Sequence, residues 1–317
     1  MHKISPDTSK ETLILSIQAE EAGIRLDRYL TSVLTGISRT TIQQLIEDRE
    51  VLVNGRTGKS GYSLKVGDEV QVKSLNMHDK AISIIPRSLP LDIIYEDKDL
   101  LVVNKAAGMV VHPAPGHHDD TLVNALIARY PDIKRADSEL RPGIIHRLDK
   151  DTSGLIIIAR NTVTHSALAD QMKRHEIVKR YLALVEGIVA LDLGSIDAPI
   201  GRNPRNRQQM AVTVVRSKEA RTHFRVQERF NRHTLLLLEL ETGRTHQIRV
   251  HLKAIGHPIV GDPVYGSGSV NRGSKLERQF LHAYQLKFTH PTTGNVLNLE
   301  APLPEDLKAV LDQKSFL

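Results

Sequence analysis

The chain has 317 residues, 40% of them hydrophobic, and its 43 lysines and arginines outnumber its 37 aspartates and glutamates. The resulting net charge of +6 permits a polyanionic partner without demonstrating one, and the absence of cysteine excludes disulfides, thiol catalysis and cysteine-based zinc sites. The apolar runs are too short for a membrane span and the first residues show no apolar signal segment, so we expect a cytoplasmic protein without a membrane partner.

The first ninety residues are predicted to contain a tail, a small module and a linker. Residues 1–22 are polar and predict a weakly structured tail. Residues 23–73 combine two segments that have apolar residues at helical spacing with two short strand-like runs, which predicts a small α+β module. Pro86 and Pro90 lie close together and indicate a linker over residues 74–90.

Residues 91–317 are predicted to form a second, larger domain in which strands predominate. The strand-like runs are residues 100–104, 154–160, 180–189, 211–216, 222–229, 234–241, 279–289 and 295–301, with a hairpin at residues 92–103. The helical segments are residues 121–130, 163–177, 245–255 and 305–314. Because helices do not alternate regularly with strands, we predict an α+β fold with a long mixed, mostly antiparallel sheet flanked by helices and loops.

The most informative stretch is RPGIIHRLDKDTSGLIIIAR, residues 141–160. Its first half is a loop dense in ionisable and hydroxyl groups, and residues 155–159 predict a buried strand. Polar groups at the mouth of a buried element can be held in fixed geometry, and Asp149 offers a nucleophile or base with the Arg147 cation in reach. The residues alone leave an ordinary charged turn as the alternative.

Several motifs resemble those of a known family. The HRLD sequence at residues 146–149, followed by TSG, resembles the catalytic motif of the RluA/RluD type of RNA pseudouridine synthases. Three further stretches match that family in order: VVNKAAGMVVHP, KRYLALVEG and LETGRTHQIRVHLKAIGHPIVGDPVYG. Residues 23–73 resemble an S4 RNA-binding domain through IRLDRYLTSVL, SRTTIQQLIEDREVLVNG and KVGDEVQV. The two-domain arrangement is most similar to the RluD type, which modifies large-subunit ribosomal RNA.

The resemblance implies that the chain isomerises specific uridines to pseudouridine in RNA, with 23S ribosomal RNA as the expected substrate. The reaction breaks the bond from ribose C1′ to base N1 and joins C1′ to C5 without a change in composition, so it needs no metal or redox cofactor in principle. It does need a carboxylate near the ribose and a base that has left its stack. We therefore expect RNA as the partner, with no cofactor and no obligate protein partner.

Three catalytic residues follow from the resemblance. Asp149 would be the catalytic carboxylate, either attacking C1′ or abstracting a proton at C2′. Arg249 would hold its negative charge. Tyr181 would stack on the uracil and offer its hydroxyl as an acid, base or hydrogen-bond partner. By pattern alone, Arg249 could be an ordinary solvated arginine and Tyr181 a core residue.

A second set of residues is expected to contact RNA. Arg147 would fill the space left by the flipped nucleotide, although by sequence it could equally pair with Asp149 or Asp151. The others are Arg39, Arg56 and Lys59 in the S4 module and Lys105, His112, Arg244, His246 and Gln247 in the larger domain. Lys105 and His112 would shape the cleft or touch the RNA backbone, and the last three would support the catalytic groups or contact RNA.

Two further charged stretches were considered. Residues 201–225 carry Arg202, Arg205, Arg207, Arg216, Lys218, Arg221 and Arg225, opposed only by Glu219. This cluster could neutralise several phosphates or could be a solvated basic face. For the HHDD sequence at residues 117–120 we favour a solvated loop over a metal site, since adjacent side chains on an extended loop point apart.

Two other functions are compatible with parts of the pattern. A glycoside hydrolase or nucleosidase could use Asp149, but such enzymes ordinarily pair two opposed carboxylates, and Asp151 is too near in sequence for that part. An RNA-binding or ribosome-assembly factor with an S4 domain would need no catalysis. The joint presence of Asp149, Tyr181 and Arg249 argues against a lost activity.

Overall fold

The computed structural model of the chain describes residues 12–34, 37, 39–73, 84–114, 116–135, 142–206, 209–267 and 276–313. The chain divides into two compact units, Met1–Ser83 and Ile84–Leu317. Residues 74–83 of the predicted linker and residues 1–11 of the predicted tail lie outside the described residues.

The N-terminal unit packs two helices against a small antiparallel sheet. The helices are α1 (Leu26–Val33) and α2 (Arg39–Glu47), and the strands lie in the order β1 (Leu13–Ser16), β4 (Glu69–Val72), β2 (Val51–Val53) and β3 (Arg56–Thr57). The prediction of a weakly structured tail is wrong for Leu13–Ser16. These residues pair antiparallel with β4, and Leu13 and Leu15 pack against the core of the unit.

The C-terminal unit is built on one nine-stranded sheet. Its order is β5 (Asp92–Glu96), β6 (Leu100–Lys105), β7 (Ser153–Ala159), β14 (Leu281–Thr289), β8 (Val178–Glu186), β13 (His233–Leu240), β12 (Arg221–Arg229) and β9 (Leu193–Asp197), with β15 (Val296–Glu300) paired to β14. Only β7 and β14 run parallel, and the other pairs in this sheet are antiparallel. This confirms the predicted α+β fold with a mixed, mostly antiparallel sheet.

Helices cover both faces of the large sheet. They are α3 (Leu122–Arg129), α4 (Thr162–Lys173), α5 (Gln247–Ala254) and α6 (Glu305–Asp312). Strand β7 is buried on both faces, because Ile156 and Ile158 belong to one hydrophobic cluster while Leu155 and Ile157 belong to another. This double burial explains why its sequence is continuously apolar rather than alternating.

One predicted strand is shorter in the structure. Residues 211–216 were expected to be extended, but the strand β11 (Met210–Val212) ends early and pairs only with β10 (Ile200–Arg202). Arg216 adopts a left-handed backbone with φ of 48°, and the apolar side chains of Val214 and Val215 are exposed. An apolar run without a buried face does not extend the strand.

Candidate active site

The loop that carries Asp149 is anchored through its backbone. The N–H of Thr152 donates to the carbonyl of Asp149 over 3.1 Å, and the carbonyl of Lys150 accepts from Gly108 N–H over 3.0 Å and from Lys105 Nζ over 2.9 Å. The loop then enters β7 at Gly154, whose φ is 113° and whose missing Cβ would lie 2.3 Å from the carbonyl oxygen of Ala283. Only glycine fits this approach of β7 to β14.

Asp149 is ion-paired to a buried arginine. Arg249, on α5, is 5% exposed, and its Nη1 lies 3.1 Å from Oδ2 of Asp149. The other side of the guanidinium makes a bidentate pair with Asp262, with Nε–Oδ2 and Nη2–Oδ1 distances of 2.6 and 2.8 Å. Arg249 therefore joins two carboxylates, and its orientation toward Asp149 is fixed from behind by Asp262.

Arg249 and its two carboxylate partners, Asp149 and Asp262, carry opposite charges, and these charges affect the pKa values of the buried groups. Burial lowers the pKa of Arg249, but the hydrogen bonds and charges of Asp262 and Asp149 outweigh burial and raise it overall. Burial raises the pKa of Asp262, but its bonds to Arg249 and to the backbone N–H groups of Tyr265 and Val264 lower it overall. The charged guanidinium of Arg249 thus faces the carboxylate of Asp149 and is itself held in place by Asp262.

His246 also approaches Asp149 Oδ2, the oxygen that is paired with Arg249. It precedes α5 in a left-handed conformation with φ of 56°, and its Nε2 lies 4.0 Å from Oδ2 of Asp149. Its Nδ1 lies 2.9 Å from the hydroxyl of Tyr265, which itself accepts from Met210 N–H over 2.9 Å. The Tyr265 hydroxyl can donate its proton to Nδ1 of a neutral imidazole, while Nε2 stays 4.0 Å from Asp149, beyond direct hydrogen-bond distance. Burial lowers the pKa of His246, which favours this neutral form.

These groups open into a cavity of about 510 Å³. Asp149, Tyr181, Arg249 and His246 line it together, with Arg147 exposed at its edge. Tyr181 projects from β8 and is 6% exposed, and burial together with the charge of Asp149 raises the pKa of its hydroxyl. A cavity of this size can enclose a small organic group, and a tyrosine within it can supply a flat apolar face and an O–H.

Two of the predicted RNA contacts, Lys105 and Gln247, are buried and hydrogen-bonded within the protein. Lys105 is 1% exposed, and its Nζ donates to the carbonyls of Ala106, Met109 and Lys150 over 2.8 to 2.9 Å. Gln247 is 3% exposed and its amide bonds to Arg221, Thr222, Thr242 and Arg244. Lys105 thus shapes the cleft by tying its loops together, and Gln247 lines the cavity while its amide fixes the turn before α5. Direct contact of either side chain with RNA stays a prediction.

The other predicted RNA contacts differ in their exposure and in their partners. Arg244 lines the cavity and donates to the carbonyl of Glu219 over 2.9 Å, and His112 is half-buried and outside the cavity. In the N-terminal unit, Arg56 and Lys59 are exposed. Arg39 is 45% exposed and pairs with the buried Asp27 over 2.6 Å. Their roles in RNA binding stay predictions.

The basic stretch at residues 201–225 is less uncompensated than its sequence suggests. The described members, Arg202, Arg205, Arg216, Lys218, Arg221 and Arg225, are all exposed. However, Arg221 pairs with Asp197 over 2.7 Å and with Glu241 over 2.9 Å, so residues distant in sequence offset its charge. Arg207 lies outside the described residues.

One group in the described part of the chain has the spacing of metal ligands: Asp97, Asp99 and His290. The Asp97 carboxylate already accepts from His290 Nε2 and Tyr95 O–H over 2.7 Å each and from two backbone N–H groups. These hydrogen bonds link the turn between β5 and β6 to the turn between β14 and β15, which is a structural role. In the HHDD loop, His117 pairs with Asp120 over 2.7 Å. The expectation of no metal stays a prediction.

Sequence reasoning missed three residues around the cavity. Asp262 and Tyr265, which hold Arg249 and His246, lie in the GDPVYG sequence that carried part of the resemblance but received no role. Lys179 is 6% exposed and lines the cavity two residues before Tyr181. The spacing of Lys179 and Tyr181 on one strand could have shown that they share a face.

A polar cleft in a large α+β unit, together with a small α+β unit in the same chain, is an arrangement of an enzyme with an accessory module, and comparison with known proteins gives its family. The model of the RNA pseudouridylate synthase family matches residues 99–254, and the S4 domain model matches residues 24–70. The chain belongs to this family and is an RNA pseudouridine synthase with an S4 domain.

Individual relatives agree with this assignment. The chain is 46% identical to an RNA pseudouridine synthase of Bacillus subtilis, YlyB, over 94% of this chain and 96% of the relative. It is 42% identical to ribosomal large subunit pseudouridine synthase D of Nitrosomonas europaea, over 98% and 92%. Human RNA pseudouridylate synthase domain containing 1 is structurally similar, with a TM-score of 0.57 and 31% identity over 70% of this chain and 87% of that chain. No helix among the described residues is long and apolar enough to cross a membrane.

Proposed function

We propose that this enzyme isomerises uridine in 23S ribosomal RNA and that Asp149 is its catalytic carboxylate. The observation that carries the proposal is the 3.1 Å ion pair between Asp149 and the buried Arg249 in the wall of the cavity. The choice of substrate is supported by the relative of Nitrosomonas europaea, which is named for the large ribosomal subunit. A ribosomal RNA substrate agrees with the cytoplasmic location expected from the sequence.

Asp149 acts on the ribose of a uridine that has left the helix. Attack on C1′ and proton abstraction at C2′ both use a carboxylate oxygen, and the ion pair with Arg249 orients the carboxylate of Asp149. The carboxylate is 19% exposed, so it is reachable from the cavity while its partner is buried. A base inside a duplex could not present its sugar to this position, so the nucleotide must flip. Arg147, exposed at the edge, would occupy the space that the nucleotide leaves.

Tyr181 retains and orients the uracil after the glycosidic bond breaks. Because burial and Asp149 raise the pKa of its hydroxyl, the proton stays on the oxygen throughout the neutral range. Tyr181 therefore acts as a stacking surface and hydrogen-bond donor rather than as an ionised base. The atoms that leave and enter C1′ belong to the same base, so the reaction requires no redox cofactor or metal.

The test is tritium release from RNA labelled at C5 of uridine, because the C5 proton is lost when C5 joins C1′. Asp149→Asn and Asp149→Ala should abolish release while binding of RNA largely persists. Asp151→Asn is the matched control, since this carboxylate lies in the same loop but outside the cavity lining. Retained turnover in the Asp149 variants would overturn its role, and release of free uracil would instead favour a nucleosidase.

The substrate is tested separately by mapping pseudouridine in RNA from cells with and without the enzyme. Sites that disappear from 23S ribosomal RNA on deletion would support the proposed target. Sites that disappear only from transfer RNA would contradict it and would leave the role of Asp149 intact.

A further inference from the structure

Among the described residues of the C-terminal unit, two lysines are buried, Lys105 and Lys179, and they differ in the hydrogen-bond partners of their ammonium groups. Lys105 donates to three backbone carbonyls, which use all the protons of an ammonium. Lys179 is also buried, at 6% exposure, but in the part of the chain that the structure describes the only hydrogen-bond partner of its Nζ is the thioether of Met172, 3.3 Å away. A thioether sulfur is a weak acceptor, so this ammonium lacks the strong acceptor that burial ordinarily demands.

Lys179 lies where a substrate could supply that acceptor. It precedes Tyr181 by two residues on β8, and both residues are buried, so the two side chains share one face of the strand and line the same cavity. His146, which also lines the cavity, is close enough for the charge of Lys179 to lower its pKa further, after burial as the main cause. Burial lowers the pKa of Lys179 to about 8, so the group is still largely protonated at neutral pH.

We propose that the Lys179 ammonium binds a carbonyl oxygen of the flipped uracil and stabilises the negative charge that the base acquires during isomerisation. This rests on the proposed function. When the C1′–N1 bond breaks, its electron pair leaves with the base and is shared with the ring carbonyl oxygens. When C5 then bonds to C1′, the proton on C5 departs and a proton is taken up at N1. Lys179 exchanges no proton in these steps and acts by its charge, whose effect is strong because the side chain is buried.

A uracil oxygen fits this position better than a phosphate oxygen does. Phosphates follow the RNA backbone across the mouth of the cavity, where the cations of Arg147 and Lys173 are exposed. Lys179 is buried beside Tyr181, the residue proposed to stack on the uracil, so a donor at this position is placed for the base. A donor aimed at the base rather than at the backbone would contribute to the chemical step more than to affinity.

The experiment compares Lys179→Met with the wild type and with Lys287→Met. Lys287 is exposed on the neighbouring strand β14, where it pairs with Val178, so its substitution removes the same charge from the same sheet. The substrate is total RNA from cells that lack the enzyme, labelled with tritium at C5 of uridine. With enzyme in excess, the single-turnover rate at saturation reports the chemical step, and the half-saturating enzyme concentration reports binding. Thermal unfolding is measured alongside.

Lys179→Met should lower the saturated rate by about 100-fold or more, leave the half-saturating concentration within about twofold, and leave the melting temperature equal or higher, since it removes a poorly solvated charge. Lys287→Met should match the wild type in all three measurements. A saturated rate within about threefold of wild type would overturn the proposal, as would weaker binding with an intact rate, which would point to a phosphate contact. Total RNA contains the substrate whichever RNA species carries it. If the target is not 23S ribosomal RNA, the rates can still be compared, and the pseudouridine formed will be found in a size fraction other than that of 23S ribosomal RNA.

Discussion

At the scale of single residues, this active site depends on charged side chains that are removed from water and paired. The motif letters predicted Asp149, Tyr181 and Arg249, and the structure brings all three to one cavity. The sequence could not reveal that Asp262 binds Arg249 or that the Lys105 ammonium donates its hydrogen bonds to backbone carbonyls. Such pairings join residues distant in sequence, so only the folded chain shows whether a polar residue supports the site or faces the substrate.

Asp262→Asn should damage both stability and turnover. The substitution keeps the shape of the side chain but removes the charge that balances a buried guanidinium, and breaking a buried pair in this way costs about 3 to 5 kcal/mol. Arg249 would also lose its bidentate support, so the tritium-release rate should fall at least about tenfold. Asp192→Asn is the control, because its ion pair with Arg229 is at the surface. Equal effects of the two substitutions in denaturant titrations would contradict the importance assigned to Asp262.

His146 should make the protein sensitive to acid. Its Nε2 accepts a hydrogen bond from Ile157 N–H over 3.1 Å, and burial lowers its pKa from 6.5 to about 3. Below pH 6.5 the unfolded chain therefore binds a proton that the folded chain does not, so stability falls as the pH falls toward 3. From about pH 7 to about pH 5 the wild type should lose on the order of 2 kcal/mol more than His146→Gln.

Urea titrations at the two pH values measure this difference. His118→Gln, at an exposed position of the same unit, is the control and should follow the wild type. If the free energy of unfolding of wild type and of His146→Gln fell equally between the two pH values, the predicted contribution of His146 to acid sensitivity would be wrong.

At the scale of elements, the junction of β7 and β14 sets the position of the catalytic loop. Gly154→Ala would place a Cβ 2.3 Å from the Ala283 carbonyl oxygen on a backbone with φ of 113°. We expect a loss of about 3 kcal/mol or more and a matching loss of soluble enzyme. Gly256→Ala is the matched control, since its φ of 85° is also left-handed but nothing lies within 4 Å of the added carbon. Its cost should stay near 1 to 2 kcal/mol, and similar melting temperatures for both variants would contradict this explanation.

Strands and helices with a strong hydrophobic pattern could be predicted from the sequence, whereas short strands and strands at a sheet edge could not. Strands β7 and β13 were recognisable by their continuous apolar runs, and β12 by its alternation of apolar and polar residues. Strand β9 was missed, since Leu193 is exposed at the sheet edge and the segment has no regular alternation. Strand β1 was missed because four residues are too few for a pattern, and its pairing with β4 supplies the stability that its own sequence does not.

At the scale of the whole molecule, the two units have separate hydrophobic cores. Removal of residues 1–83 should therefore leave the C-terminal unit folded and cooperative, with weaker binding to structured RNA. If Arg39, Arg56 and Lys59 each neutralise a phosphate, the slope of log affinity against log salt should become shallower by about 2 to 3. Circular dichroism checks the fold and a salt series of binding titrations checks the slope. Unchanged affinity at every salt concentration would contradict an RNA-binding role for the S4 domain.

The parallel pairing of β7 with β14 also has a consequence for biosynthesis. The Ser153 hydroxyl bonds to His282 across 129 positions of sequence, so the ribosome delivers the strand bearing the active-site loop long before the strand that completes it. Pairings between such distant segments form late. A nascent chain that has not reached residue 281 thus carries an apolar strand with one unpaired edge, which invites association with other chains. Premature termination in this interval should yield insoluble fragments rather than a partly active enzyme.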